Sequence, residues 1–173
     1  MLRRTVCSLT TKGYNRIFLQ VIRALKSKTL SAEALKESLI KLTGNSSVWP
    51  DNNRFKVAWL ENHAYHTLNN PKLVHVLRRI NDLYLTNKNE ILNIESPLTT
   101  EHILPQSWIE NWPLPDGSKG LKFKELYGSE SNDEIAQATH HRNAKLQTLG
   151  NLTIITKSLN SSISNSSWKI KKP

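Results

Sequence analysis

The chain has 173 residues, with 24 Lys and Arg against 14 Asp and Glu, a formal charge of +10 and a pI near 9.8. That length supports one domain, or one and a half, with a core of its own, and the 38% hydrophobic and 22% charged content is globular rather than disordered. One cysteine, Cys7, excludes a disulfide framework and a thiolate zinc cluster and fits a reducing compartment. No apolar run reaches membrane-spanning length and the basic N-terminus lacks an apolar signal core, so no membrane association is expected. The cationic surplus suits a polyanionic partner, nucleic acid first, although a solubilising surface has the same composition.

The first half reads as helices. RIFLQVIRALK (16–26) sets Ile17, Phe18, Val21, Ile22 and Leu25 on one stripe. SAEALKESLIKL (31–42) opens on Ser31 as N-cap and stops before Gly44. RFKVAWLENHAYHTL (54–68) places Phe55, Ala58, Trp59 and His66 on one side. Asn70 followed by Pro71 predicts a cap and first turn, and Leu73, Val76, Leu77, Ile80 and Tyr84 continue at helical spacing. His75 reads as a core or boundary residue, and His63 and His66 as packing residues without a third metal ligand nearby.

From about residue 95 the texture changes. Pro97, Pro105, Pro113 and Pro115 with Gly117, Gly120 and Gly128 predict a long connection with little regular structure, in which Trp108 and Trp112 either stack on bases of an opened strand or, the safer reading, anchor the loop to the core. Lys119, Lys122 and Lys124 are either phosphate contacts or solvated charges. Ser131 to Glu134 has the form of a capping box opening a helix to about Lys145. A turn at Gly150-Asn151, a short β-branched strand and a polar helical tail from Ser158 complete the order. The domains expected are a helical region at 1–94 and a second region at 95–173.

Glu101-His102, before Pro105, and the later Asn151 and Asn160 carry the candidate chemistry. An extended segment, a long insertion, a strand and a helix make the order of a ββα-metal (His-Me finger, HNH) core. Phosphodiester hydrolysis needs a base that is neutral near pH 7, which imidazole provides, and a hard cation, which carboxylate and amide oxygens suit. Without that context Glu101-His102 is an ordinary surface pair, Asn151 a turn residue and Asn160 a local cap.

TTEHILPQ (99–106), LGNLTIITKSLNSSISN (149–165) and WKIKK (168–172) resemble the C-terminal nuclease domain of GmrSD-type modification-dependent restriction endonucleases, and LRRTVCSLTTKGYNRIF with the helical stretch to about residue 85 resembles the region before it. The resemblance implies an α+β fold with a mainly helical N-terminal half and a ββα-metal core carrying a long insertion. It implies His102 as general base, Glu101 and Asn160 as ligands of one Mg²⁺ or Mn²⁺, and Asn151 as a brace for the loop that holds the histidine. His141, Arg142, Lys157, Asn165 and Lys169 are candidates for DNA-backbone contacts, with a solvated helix face the alternative for His141 and Arg142 and a structural role the alternative for Asn165 and Lys169. DNA, possibly base-modified, is then the substrate, in a bacterial cytoplasm. Family members carry a preceding nucleotide-dependent domain and continue beyond WKIKK, so the expectation is a partner domain or subunit and a shortened C-terminus. A non-catalytic DNA-binding or subunit-interaction module of the same fold is the alternative.

Overall fold

The computed structural model describes residues 1–86, 96–130, 133–163 and 165–171. It is α+β, with helices in both halves of the chain and one small antiparallel sheet. Two compact units divide at Asn62/His63. This packing boundary lies upstream of the composition change at residue 95, so the helix before the first strand shares a unit with the sheet.

The first unit holds α1 (Leu2–Val6), α2 (Tyr14–Leu25), α3 (Ala32–Ile40) and α4 (Asn52–Glu61). Helix α2 starts two residues before the expected position and buries Ile17 and Val21. Ser31 caps α3 as expected, its side-chain oxygen accepting the Ala34 N–H at 3.1 Å. The apolar side read across 54–68 is split between two helices. The chain leaves α4 at Asn62, whose extended backbone (φ −72°, ψ 152°) ends the helix while its Nδ2 donates to the Val6 carbonyl at 2.9 Å.

The second unit begins with α5 (Ala64–Thr67) and α6 (Asn70–Tyr84). The cap of α6 is Asn69, one residue earlier than expected; its Oδ1 accepts the Lys72 N–H at 3.3 Å. Asn70 lies inside the helix, and its Oδ1 accepts the Thr100 N–H at 3.2 Å, tying the helix start to the first strand. Leu73 and Val76 are buried. His75 is exposed, a correction to its expected core position: it falls between those two buried residues, on the solvent side of the helix.

Strands β1 (Leu98–His102) and β2 (Leu152–Thr156) pair antiparallel, with Thr100 opposite Ile154, Glu101 opposite Thr153 and His102 opposite Leu152. Between them lie a 3₁₀ turn (Trp108–Glu110), α7 (Phe123–Gly128), α8 (Glu134–Lys145) and a second 3₁₀ turn (Leu149–Asn151). After β2 come α9 (Lys157–Ile163) and α10 (Trp168–Lys171). Ser131 lies outside the described residues; the observed cap of α8 is Asp133, which accepts from the N–H groups of Ile135 and Ala136 at 2.9 and 3.1 Å.

The insertion is held by tertiary contacts. Trp108 is fully buried and donates its indole N–H to Asn143 Oδ1 at 2.8 Å. Gly120 passes over that ring so closely that a Cβ would meet it at 2.2 Å, so no larger residue fits without displacing Trp108. These contacts agree with the core-anchoring reading of Trp108. No described helix is long and apolar enough to cross a membrane.

Candidate active site

The candidate site forms at the end of β1, where alternation along the strand gives neighbouring side chains opposite faces. Thr100 and His102 are buried. The His102 ring lies against Tyr65, with centroids 4.5 Å apart, and its Nε2 is 3.1 Å from Gln147 Oε1. With the Gln147 amide oxygen toward the ring, the bond is made by the tautomer that carries its N–H on Nε2, whose lone pair then lies on Nδ1. Gln147 also accepts the Tyr65 N–H on its backbone oxygen at 3.1 Å, so one residue fixes both neighbours of the ring.

Asn151 secures the strand end. Its Oδ1 accepts the Leu104 N–H at 2.8 Å, and its Nδ2 donates to the carbonyls of Leu104 and Leu146, both at 2.9 Å. Its own carbonyl accepts the Ile103 N–H at 2.9 Å. Donor and acceptor sides of this amide are both engaged on backbone, which ties the turn that leaves His102 to the segments around it. Buried backbone groups at a turn need such partners.

Glu101 points the other way, with Thr153 and Ile155, into a cavity of about 480 Å³ that Leu159 and Ile163 of α9 and Trp168 of α10 also border. Its carboxylate receives Lys171 at 2.5 Å, and the same ammonium donates to the His102 carbonyl at 2.9 Å. The two side chains are 14% and 4% exposed, a nearly dry ion pair. A carboxylate oxygen and a backbone carbonyl thus converge on one cation, which is the donor chemistry a hard metal ion would also use. Asn160 follows Leu159 on α9, is half-buried, and makes no side-chain hydrogen bond among the described residues; it does not border the Glu101 cavity. Among the described residues no three His, Cys, Asp or Glu side chains cluster as a metal site, so any metal here rests on one carboxylate with amide, carbonyl, water or phosphate oxygens.

The expected backbone contacts divide into two groups. His141, Lys157, Asn165 and Lys169 are exposed. Arg142 is half-buried: it stacks on Trp108 with its guanidinium carbon 4.6 Å from the ring centre, and donates to the carbonyls of Trp112 and Pro113 at 2.8 and 3.0 Å. Burial lowers its pKa from the usual guanidinium value, and its visible work is to hold the insertion. Lys119 and Lys122 pair with Glu110 at 2.7 and 3.4 Å, which pulls the Glu110 carboxyl below the usual carboxylate range. Trp112 donates to the Ser166 carbonyl at 3.1 Å and packs on Trp168, with centroids 5.9 Å apart. His63 and His66 are ring neighbours at 6.2 Å.

Sequence reasoning missed Gln147, Tyr65 and Lys171. Lys171 lies inside the WKIKK motif, where only Lys169 was singled out; the other two carry no local signal because they reach His102 from other elements.

No curated protein and no solved structure matches the chain. A family model described as GmrSD restriction endonucleases, C-terminal domain, matches residues 49–173, which takes in both strands, the insertion between them and α9. The upstream likeness at residues 2–48 lies outside that match. With most of its length matched, the chain belongs to the family of C-terminal domains of GmrSD restriction endonucleases.

Proposed function

We propose that this domain hydrolyses DNA phosphodiester bonds with the help of one divalent ion, in restriction of foreign or modified DNA within a bacterial cytoplasm. The observation that carries this reading is the pairing of the family's motif with its surroundings. Glu101-His102 ends a strand, Asn151 clamps the turn beyond it, and α9 follows the partner strand directly. That order supports a ββα-metal core.

His102 acts as general base: Gln147 holds its Nε2–H, leaving the other ring nitrogen to take a proton from water. Tyr65 and the burial of the ring restrict its orientation, so little freedom is lost when a phosphate arrives. Glu101 would hold the Mg²⁺ or Mn²⁺; Asn160, the second expected ligand, stands on α9 outside the cavity that Glu101 borders and would have to be brought to it. When bound, such an ion offsets charge on the phosphate and the leaving oxygen. The exposed His141, Lys157, Asn165 and Lys169 supply contacts to the DNA backbone, which set position rather than sequence. A preceding nucleotide-dependent domain or subunit supplies what this chain's own residues do not.

The test is cleavage of supercoiled plasmid with Mg²⁺ or Mn²⁺, beside chelator and the Glu101→Gln and Asn160→Ala variants. Loss of cutting in all three controls supports the reading. Cutting that continues unchanged in chelator contradicts it. The Glu101–Lys171 pair favours a second reading, a module that binds DNA without cutting it, because the carboxylate already has its counter-charge. Such a module binds DNA equally well in chelator and cuts nothing.

A further inference from the structure

Lys171 is the one described residue whose charge meets the motif carboxylate in an ion pair, and the function proposed above gives it no task. Its ammonium sits between Glu101 Oε1 and the His102 carbonyl, the two oxygens that bracket the strand end at which a cation is required. Both side chains are largely out of water, so the pair is weakly screened and the carboxylate is costly to leave alone.

Among the described residues, the segment that delivers this lysine is attached by few contacts. Helix α10 is four residues long, and its Trp168 and Ile170 are 50% and 64% exposed. Trp112 holds the Ser166 carbonyl and the Trp168 ring, and Asn111 donates to the Asn165 carbonyl at 3.2 Å. All three contacts come from the insertion rather than the sheet. The charge pair is therefore the segment's polar tie to β1, and Trp168, Ile170 and Lys171 form one wall of the cavity that Glu101 borders.

We propose that Lys171 is a built-in surrogate for the divalent ion: the ammonium and the metal compete for Glu101, and metal binding releases α10 from the strand end. The inference rests on the reading of Glu101 as a metal ligand. The ammonium already occupies Glu101 Oε1 and the His102 carbonyl, so a metal drawn to the same oxygens must displace it, and the low-dielectric surroundings that favour the pair penalise two cations held side by side. The lysine keeps the acidic site neutral until metal and phosphate arrive, and the opened wall then gives DNA access to the strand end.

The experiment uses the 173-residue chain and Mn²⁺ as probe, with calorimetric titration of the unchanged protein, Lys171→Gln, Lys171→Arg and Glu101→Gln. Lys171→Gln should bind Mn²⁺ more tightly, on the order of tenfold, within the usual range of coupling between linked binding events. Lys171→Arg keeps the cation and should stay near the unchanged protein. In the unchanged protein, saturating Mn²⁺ should also speed tryptic cleavage after Lys169, a readout that does not depend on how well any variant folds. Equal Mn²⁺ affinity for Lys171→Gln and the unchanged protein, with Glu101→Gln losing binding, overturns the competition and leaves the metal-site reading intact. Unaltered cleavage after Lys169 at saturating Mn²⁺ overturns release of α10. Absence of Mn²⁺ binding to the unchanged protein and to Lys171→Gln alike removes both this proposal and the metal-dependent function.

Discussion

Among the described residues, Arg4 in the first unit and Lys171 in the second both keep a cationic side chain almost wholly out of water, and the two are held in different ways. Arg4 in the first unit is 1% exposed and is met by neutral groups: the carbonyls of Val48, Thr10 and Ser46, the last two at 2.9 and 3.0 Å, with the Tyr14 ring centre 6.0 Å from its guanidinium carbon. Lys171 in the second unit is met by a carboxylate and a single carbonyl. Arg4 joins the first helix to the loop around residues 46–48, and its planar fork spans three acceptors at once. Nothing could replace it without leaving several carbonyls unpaired. Lys171 is a compact charge on a short terminal helix, beside an anion that another cation could claim. The contrast separates a buried charge that builds a fold from one that occupies a site.

The strongest way to break this comparison is Arg4→Met. It leaves three carbonyls without their donor, and we expect a loss of about 4 kcal/mol in denaturant unfolding. If Arg4→Met melts no earlier than Lys171→Gln, the distinction between the two cations fails. Asn151→Ala should come next, at about 3 kcal/mol from three side-chain bonds to backbone at the turn after His102. An Asn151→Ala protein of unchanged stability would contradict its bracing role.

Gly120→Ala should cost about 1–3 kcal/mol by overpacking against Trp108, read as a lower melting temperature with a changed indole fluorescence. The smallest effect concerns Glu110. Its carboxyl is held low by Lys119 and Lys122, so its contribution is present above the unfolded pKa and is lost as pH falls through the lower folded value. Both lysines and Glu110 are more than half exposed, so Glu110→Gln should flatten the acid limb of a stability profile only slightly, and less so in high salt.

Much of the fold was legible in the sequence because its signals are local. The stripe of Ile17 and Val21, the Ser31 cap and the Leu73–Val76 spacing all follow from helix geometry within a few residues. The order of extended segment, insertion, β-branched strand and polar helix was legible for the same reason. What escaped depends on distant partners. Asn62 breaks a helical run because Val6 takes its side chain, and Asn70 yields its expected capping role to Asn69 while binding Thr100. The insertion's prolines and glycines concealed a chain ordered by Trp108, Asn143 and Arg142. At the site, Glu101, His102 and Asn151 were readable from their motif. Gln147 and Lys171 were not, since they are 45 and 70 residues from their partners in sequence.

The central claim is that the buried, Gln147-held imidazole at the end of β1 is a general base. His102→Ala tests it most directly, with plasmid cleavage rates measured in Mg²⁺ on protein confirmed as folded by its melting transition. A loss of about a hundredfold or more is expected, the usual contribution of such a base. Cleavage that persists in His102→Ala near the rate of the unchanged protein would contradict it.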